Sequence, residues 1–195
     1  MGSQRVVRLS TTSHTRYRLF VAASDVGELV ASAGGWMCDR IHAGWDVTVA
    51  VSEPRDLRPL RILGITTVVT GHGFPTIGDR GEAAAIGIAS EAFDHNELLG
   101  REVLNFLDQG ATEVTIWGGT IPSSLEGRVH RMQHRLSGAA RAFKTHAVAA
   151  AAIPAAEVSA TEEFFSSVRC YDPSGPNGIG HRLMAAHQAD HPADT

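Results

Sequence analysis

The chain has 195 residues and is poor in cysteine, in net charge and in long apolar runs; each shortage excludes something. Two cysteines, Cys38 and Cys170, build neither a disulfide framework nor a zinc-knuckle spacing, and a reducing cytoplasm suits them. Cys38 falls inside the first helical pattern, where a thiol reads as a buried, inert packing group. A net charge of -4 argues against a nucleic-acid-binding surface. The most basic stretch, "RVHRMQHRLSGAARAFK", is too short to alter that. No run approaches the roughly 18 apolar residues a bilayer span needs, and the alanine-rich stretch 147–153 falls well short. The first 18 residues, "MGSQRVVRLSTTSHTRYR", hold no apolar segment of signal-peptide length and no myristoylation pattern. The expectation is a soluble, cytoplasmic protein that meets neither nucleic acid nor a membrane.

What is present is ordinary globular material, 43% hydrophobic and 19% charged, enough for one substantial core. Residues 1–17 read as an N-terminal extension, 18–171 as a single α/β domain and 172–195 as a turn-rich tail. "YRLFVAAS" is a short apolar run of the kind buried parallel strands show. "GELVASAGGWMCDRIHAG" follows with apolar residues at helical spacing and Gly44 as a stop. "WDVTVAVS" and "ITTVVTG" are further strands, with a short helical segment at "LRPLRILG" between them. Residues 71–94 read as loop with a helical turn at 82–90. "HNELLGREVLNFLDQG" carries the clearest amphipathic helix, ended by Gly110, and "TEVTIWGG" a fourth strand. "SSLEGRVHRMQHRLSGAARAFK" reads as a helix capped by Ser123 or Ser124, and "THAVAAAAIP" as a fifth strand. Strands alternating with helices predict a mostly parallel sheet covered on both faces.

Such sheets keep their chemistry at the carboxyl ends of the strands. The loop after the first strand offers Asp25 and Glu28, the loop after the third offers His72 and Asp79, and the helix read after the fourth offers His130 and His134. Two imidazoles four residues apart share a helix face, and with carboxylates they suit zinc or another divalent ion. Two plainer readings stand beside this one. Asp25 and Glu28 also suit the N-terminus of a helix, where carboxylates meet free N–H groups and the positive end of the dipole. A chain with ten histidines also produces an i, i+4 pair on a solvated face without any ligand role. Gly34-Gly35 in mid-helix costs propensity and points to close approach of a neighbouring segment.

The order of these elements resembles the LmbE/PIG-L group of zinc-dependent N-deacetylases. That group opens with a strand, His-Pro-Asp-Asp-Glu, small residues, Gly-Gly, a helix and an "aGheVtvv" strand; here Gly34-Gly35, "RIHAGWDVTVAVS" and "RILGI" stand in the same order. Further on, "HRLSGAAR" is similar to the group's "HRAVGRAA" helix, which begins in its His-Pro-Asp-His motif. The resemblance covers about residues 18–153 and implies an LmbE-like, Rossmann-like three-layer fold. Carried over position by position, it implies metal ligands at Asp25, Glu28 and His134. It implies Glu28, His130 and Asp79 as the residues nearest the chemistry, with Arg55 as a remnant of an Arg-x-x-Glu motif. The motifs depart from the group's pattern: its first zinc-binding histidine falls on Asp25, its catalytic-base aspartate on Gly27, and the first histidine of its second motif on Arg131, one residue from His130. Losing the base removes a proton acceptor worth roughly 10²–10⁴-fold.

The resemblance therefore implies two functions. One is a metal-dependent hydrolase, with zinc or another divalent ion, removing an N-acyl group from an amino sugar or related small molecule. The other is a catalytically silent relative kept as a ligand-binding or assembly module. The expected partner is a small molecule, with homo-oligomerisation left open. A third reading, a flavodoxin-like or Rossmann-like nucleotide binder, needs free backbone amides at 25–28 to meet phosphate.

Overall fold

A computed structural model of the protein describes residues 16–52, 54, 56–70, 83–153 and 158–168. Strand β1 (Arg18–Ala23) leads through Ser24 and Asp25 into helix α1 (Val26–His42), followed by β2 (Asp46–Val51), α2 (Arg58–Ile62) and β3 (Thr66–Val69). After these come β4 (Ala85–Ala89), α3 (Ser90–His95), α4 (Glu97–Gln109), β5 (Glu113–Trp117), β6 (His130–Arg135), α5 (Gly138–Ala150) and β7 (Thr161–Ser166). The seven strands form one sheet in the order β3-β2-β1-β4-β5-β7-β6. The first five pair in parallel; β7 pairs antiparallel with both β5 and β6. This is the mostly parallel α/β architecture predicted, with seven strands instead of about five.

Burial explains the central strands. β1 is buried from Leu19 to Ala23 and β4 throughout, because helices cover both faces of a parallel sheet and leave no solvent side for polar residues. Helices α1, α2 and α5 pack against one another, while α3 and α4 pack together next to β4 and β5. From β1 the chain steps outward through β2 to β3, and from β4 it steps the other way to β5. The strand order thus reverses between β1 and β4, and their carboxyl ends open a crevice where doubly wound sheets bind ligands.

Three local readings are corrected. Residues 85–89, read as loop with a helical turn, are the fully buried strand β4. The segment read as one helix from Ser123 is a short 3₁₀ turn at Ser123–Leu125, then β6, then the start of α5. In β6 the side chains alternate between half-buried His130, Met132, His134 and exposed Arg131, Gln133, Arg135, the period of a strand. Residues four apart share a face in a strand as well as in a helix, so the histidine spacing alone did not separate the two. "THAVAA", the start of the segment read as a strand, is the second half of α5: alanine is the best helix former, and Ala140, Lys144, Ala147 and Val148 form its buried stripe. α5 is capped by Ser137, whose hydroxyl accepts from Ala140 N at 3.0 Å, and not by Ser123 or Ser124. The strand at 161–166, "TEEFFS", was not anticipated, because its inward positions include Glu162 and Ser166. α1 and α4 stand as predicted, the latter closed by Gly110 in the left-handed region at φ 67°.

Candidate functional site

The crevice is lined by the turn after β1. Asp25 is the N-cap of α1: its Oδ1 accepts from Glu28 N at 2.7 Å, and its carbonyl accepts from Leu29 N at 3.1 Å. This is the capping reading of "SDVGE", and it takes the Glu28 amide, one of those on which a phosphate-binding loop would draw. Glu28 projects from the first turn toward the end of β5. Its Oε1 accepts from Ser32 Oγ at 2.9 Å, and its Oε2 accepts from Trp117 Nε1 at 3.2 Å. The indole of Trp117, 1% exposed, thereby satisfies its only donor. The chain then turns through Gly118 and Gly119, both left-handed (φ 76° and 54°); a Cβ on Gly118 would come within 3.3 Å of Glu28 Oε1. Across the crevice, Ser90, the first residue of α3 just after β4, donates to the Thr120 carbonyl at 2.7 Å, fixing the same loop. Asp25, Glu28, Ser32 and Trp117 are therefore linked by hydrogen bonds into one rim, with Gly118 against Glu28 and Ser90 holding the loop that follows.

His134 is elsewhere. It lies on β6, four strands from β1, and its Nε2 meets Asp39 Oδ2 at 2.9 Å near the far end of α1. Asp39 is eleven residues beyond Glu28, about 16 Å along the helix axis, so Asp25, Glu28 and His134 do not converge. The likeness of "HRLSGAAR" to a motif that begins a helix does not extend to the position of the helix start. The helix begins at Gly138, after Ser137, and His134 is consumed in docking β6 onto α1. His130, also on β6 and paired in register with Ser166, is not brought to the rim by that strand. Asp79, His72 and Arg55 lie outside the described residues. Among the described residues no three His, Cys, Asp or Glu side chains cluster closely enough to hold a metal ion. Structural and catalytic zinc sites take three or four protein ligands. The described rim offers two carboxylates, one capping a helix and one bonded on both oxygens, and this donor set does not fit zinc.

A second polar assembly was not anticipated. Lys144, the chain's single lysine, lies on α5 with its side chain 5% exposed and meets Glu162 of β7, 2% exposed, at 2.5 Å. The carboxylate also accepts from the backbone N–H groups of Gly35 and Trp36, at 2.8 and 2.7 Å, and Lys144 Nζ donates to the Ala31 carbonyl at 2.5 Å. The pair thus bonds to backbone groups of α1 at Ala31, Gly35 and Trp36, while the close approach the two glycines indicated is that of Leu136 at Gly35 and Leu63 at Gly34. Burial drives the Glu162 carboxyl above the usual range, more than Lys144 and the two amides draw it down. Beside the pair is a cavity of about 350 Å³, bounded by Ser32 and Gly118 from the rim, by Lys144 and Glu162, and by Val148, Ile153 and Val158.

Cys38 is buried as expected. Its thiol is pushed up to about 11 by burial, then by the charges of Asp39 and Glu162, and stays protonated. Among the described residues no helix is long and apolar enough to cross a membrane.

No family profile and no curated protein sequence matches the chain. Solved structures do. The zinc-inhibited form of teicoplanin deacetylase aligns with a TM-score of 0.54 at 12% identity, covering 80% of this chain and 99% of that one. A deacetylase–teicoplanin complex gives 0.52 at 11% identity, over 76% and 97% of the two chains. A conserved protein from Thermus thermophilus gives 0.52 at 13% identity, over 82% and 99%. At these identities the likeness is one of fold, and the fold is that of the LmbE/PIG-L deacetylases.

Proposed function

We propose that this chain with the LmbE/PIG-L fold is a ligand-binding relative of the N-deacetylases. It takes a small molecule of the amino-sugar class at the carboxyl ends of β1, β4 and β5 without metal-driven amide hydrolysis. The observation that carries this reading is the state of Glu28. Both its oxygens are bonded to neutral donors, Ser32 and Trp117, while the histidine aligned as its co-ligand is bonded to Asp39 about 16 Å along α1. Gly27 supplies no base in the position aligned with the deacetylases' aspartate. A rim of hydroxyl and carboxylate groups beside an indole and a cavity of about 350 Å³ remains suited to a hydroxylated small molecule.

The second reading, a metal-dependent hydrolase removing an N-acyl group, is favoured by the fold shared with deacetylases and by Asp25 and Glu28 standing together at the rim. Metal analysis of the purified protein, run with amide hydrolysis and equilibrium binding of N-acetylglucosamine, separates the two. Binding without hydrolysis by metal-free, folded protein is the expected result. One bound zinc per chain, lost together with hydrolysis in Glu28→Ala, would overturn the proposal in favour of the enzyme.

A further inference from the structure

An ammonium carries three N–H donors, and a carboxylate has about four acceptor positions. Among the described residues Lys144 donates to the Ala31 carbonyl and to Glu162 Oε1, which leaves one donor. Glu162 accepts from Gly35, Trp36 and Lys144, which leaves one acceptor position. Both side chains line the cavity, and a buried ammonium short of a partner is costly. The pair is neutral overall, and the lining's other carboxylate, Glu163, is exposed and accepts from Gln133 Nε2 at 3.1 Å, so the buried wall does not select a charged ligand. Val148, one turn beyond Lys144 on α5, Ile153 and Val158 give the lining an apolar part.

We propose that Lys144 is the ligand-anchoring residue of this cavity, giving its remaining N–H to the oxygen of a neutral group, with Glu162 aiming the ammonium and a short apolar substituent resting on Val148, Ile153 and Val158. The ligand class is an uncharged molecule with a carbonyl or hydroxyl oxygen next to a few carbon atoms. This rests on the ligand-binding reading above and gives it a specific anchor.

The test uses N-butyrylglucosamine as the probe, with butyrate and butylammonium as anionic and cationic controls, followed by calorimetry. Because Lys144 is the only lysine, isotope-labelled lysine gives one side-chain Nζ resonance, which reports on this group alone. The neutral probe is expected to bind and to shift that resonance, and the charged controls to bind at least tenfold more weakly. Lys144→Met is expected to weaken binding by tenfold or more, the loss of one hydrogen bond from a charged donor. The double variant Lys144→Met/Glu162→Gln, which leaves no unpaired buried charge, keeps the test valid where the single variant unfolds. Wild-type affinity in the folded double variant, an unmoved resonance, or equal binding of a charged control overturns the anchor and leaves the general ligand-binding reading standing. No binding by the wild-type protein overturns both.

Discussion

Gly35 has no room for a side chain. A Cβ built there would come within 2.4 and 2.6 Å of the Leu136 methyl carbons and 3.0 Å of its Cγ, whereas one on Gly34 would meet Leu63 Cδ1 at a tolerable 3.3 Å. Leu136 is 6% exposed and cannot turn out to solvent without opening the core. Gly35→Ala is therefore expected to cost about 1–3 kcal/mol through overpacking, despite alanine's better helix propensity, and Gly34→Ala to cost much less. Urea denaturation of the two variants checks this; equal stabilities would mean that Leu136 repacks freely. The same contrast distinguishes the roles of two adjacent, chemically identical residues. At this scale the sequence revealed that the glycines were needed, and only the packing revealed which neighbour needs them.

Helix α1 is the element on which the molecule is organised. Its N-terminal turn carries the rim, its middle receives the Lys144–Glu162 pair, and Asp39 farther along holds His134 and accepts from Ser137 N at 3.2 Å. Burial would raise the Asp39 carboxyl, but hydrogen bonds from Ser137 and His134 and the imidazole's charge outweigh it and hold the group below its ordinary value. A carboxyl lowered in the folded state stabilises the fold above its unfolded value of about 4 and loses that contribution as pH falls through the lower folded value. Asp39→Asn is expected to cost about 1–2 kcal/mol near neutral pH and progressively less below about pH 4. Denaturation curves across that range test this; a pH-independent cost would count against the linkage. Glu162, raised in the fold, acts in the opposite sense: its contribution is full below the ordinary glutamate value and falls as pH rises through the raised one. Lys144→Met leaves that carboxylate buried without its partner and is expected to cost about 3–5 kcal/mol, with the Lys144→Met/Glu162→Gln double variant costing less. Equal costs in denaturant would show that the two side chains are not energetically coupled.

At the scale of the whole molecule, the last described strand is not at the edge of the sheet. β7 lies between β5 and β6, so β6 joins the sheet only through β7. It ties together parts of the chain distant in sequence: Glu162 reaches Gly35 across 127 positions. Docking of this strand closes the core over α1, where Trp36 and Phe164 meet with ring centroids 5.3 Å apart. Ending the chain after residue 158 removes β7, and with it the acceptor for two α1 amides and the partner of the buried lysine. The truncated chain is expected to lose its cooperative thermal transition. A transition at the full-length temperature would show that β7 is dispensable.

By itself the sequence determined the α/β class, the β1–α1–β2 unit and helix α4. These rest on local patterns, such as short apolar runs, amphipathic spacing and terminal glycines, that report burial without knowledge of any partner. It also placed Asp25 at a helix start, which follows from nearest-neighbour chemistry. Tertiary structure decided the rest. "HRMQHR" is a strand because β7 pairs with it, "THAVAA" is a helix because α1 and α2 cover it, and Glu162 is buried because Lys144 and two helix amides receive it. The separation of His134 from Glu28 belongs to the same class. Both residues have the chemistry of metal ligands, but whether two side chains meet is set by strand order and helix rise, which a pattern of residue types along one chain does not contain.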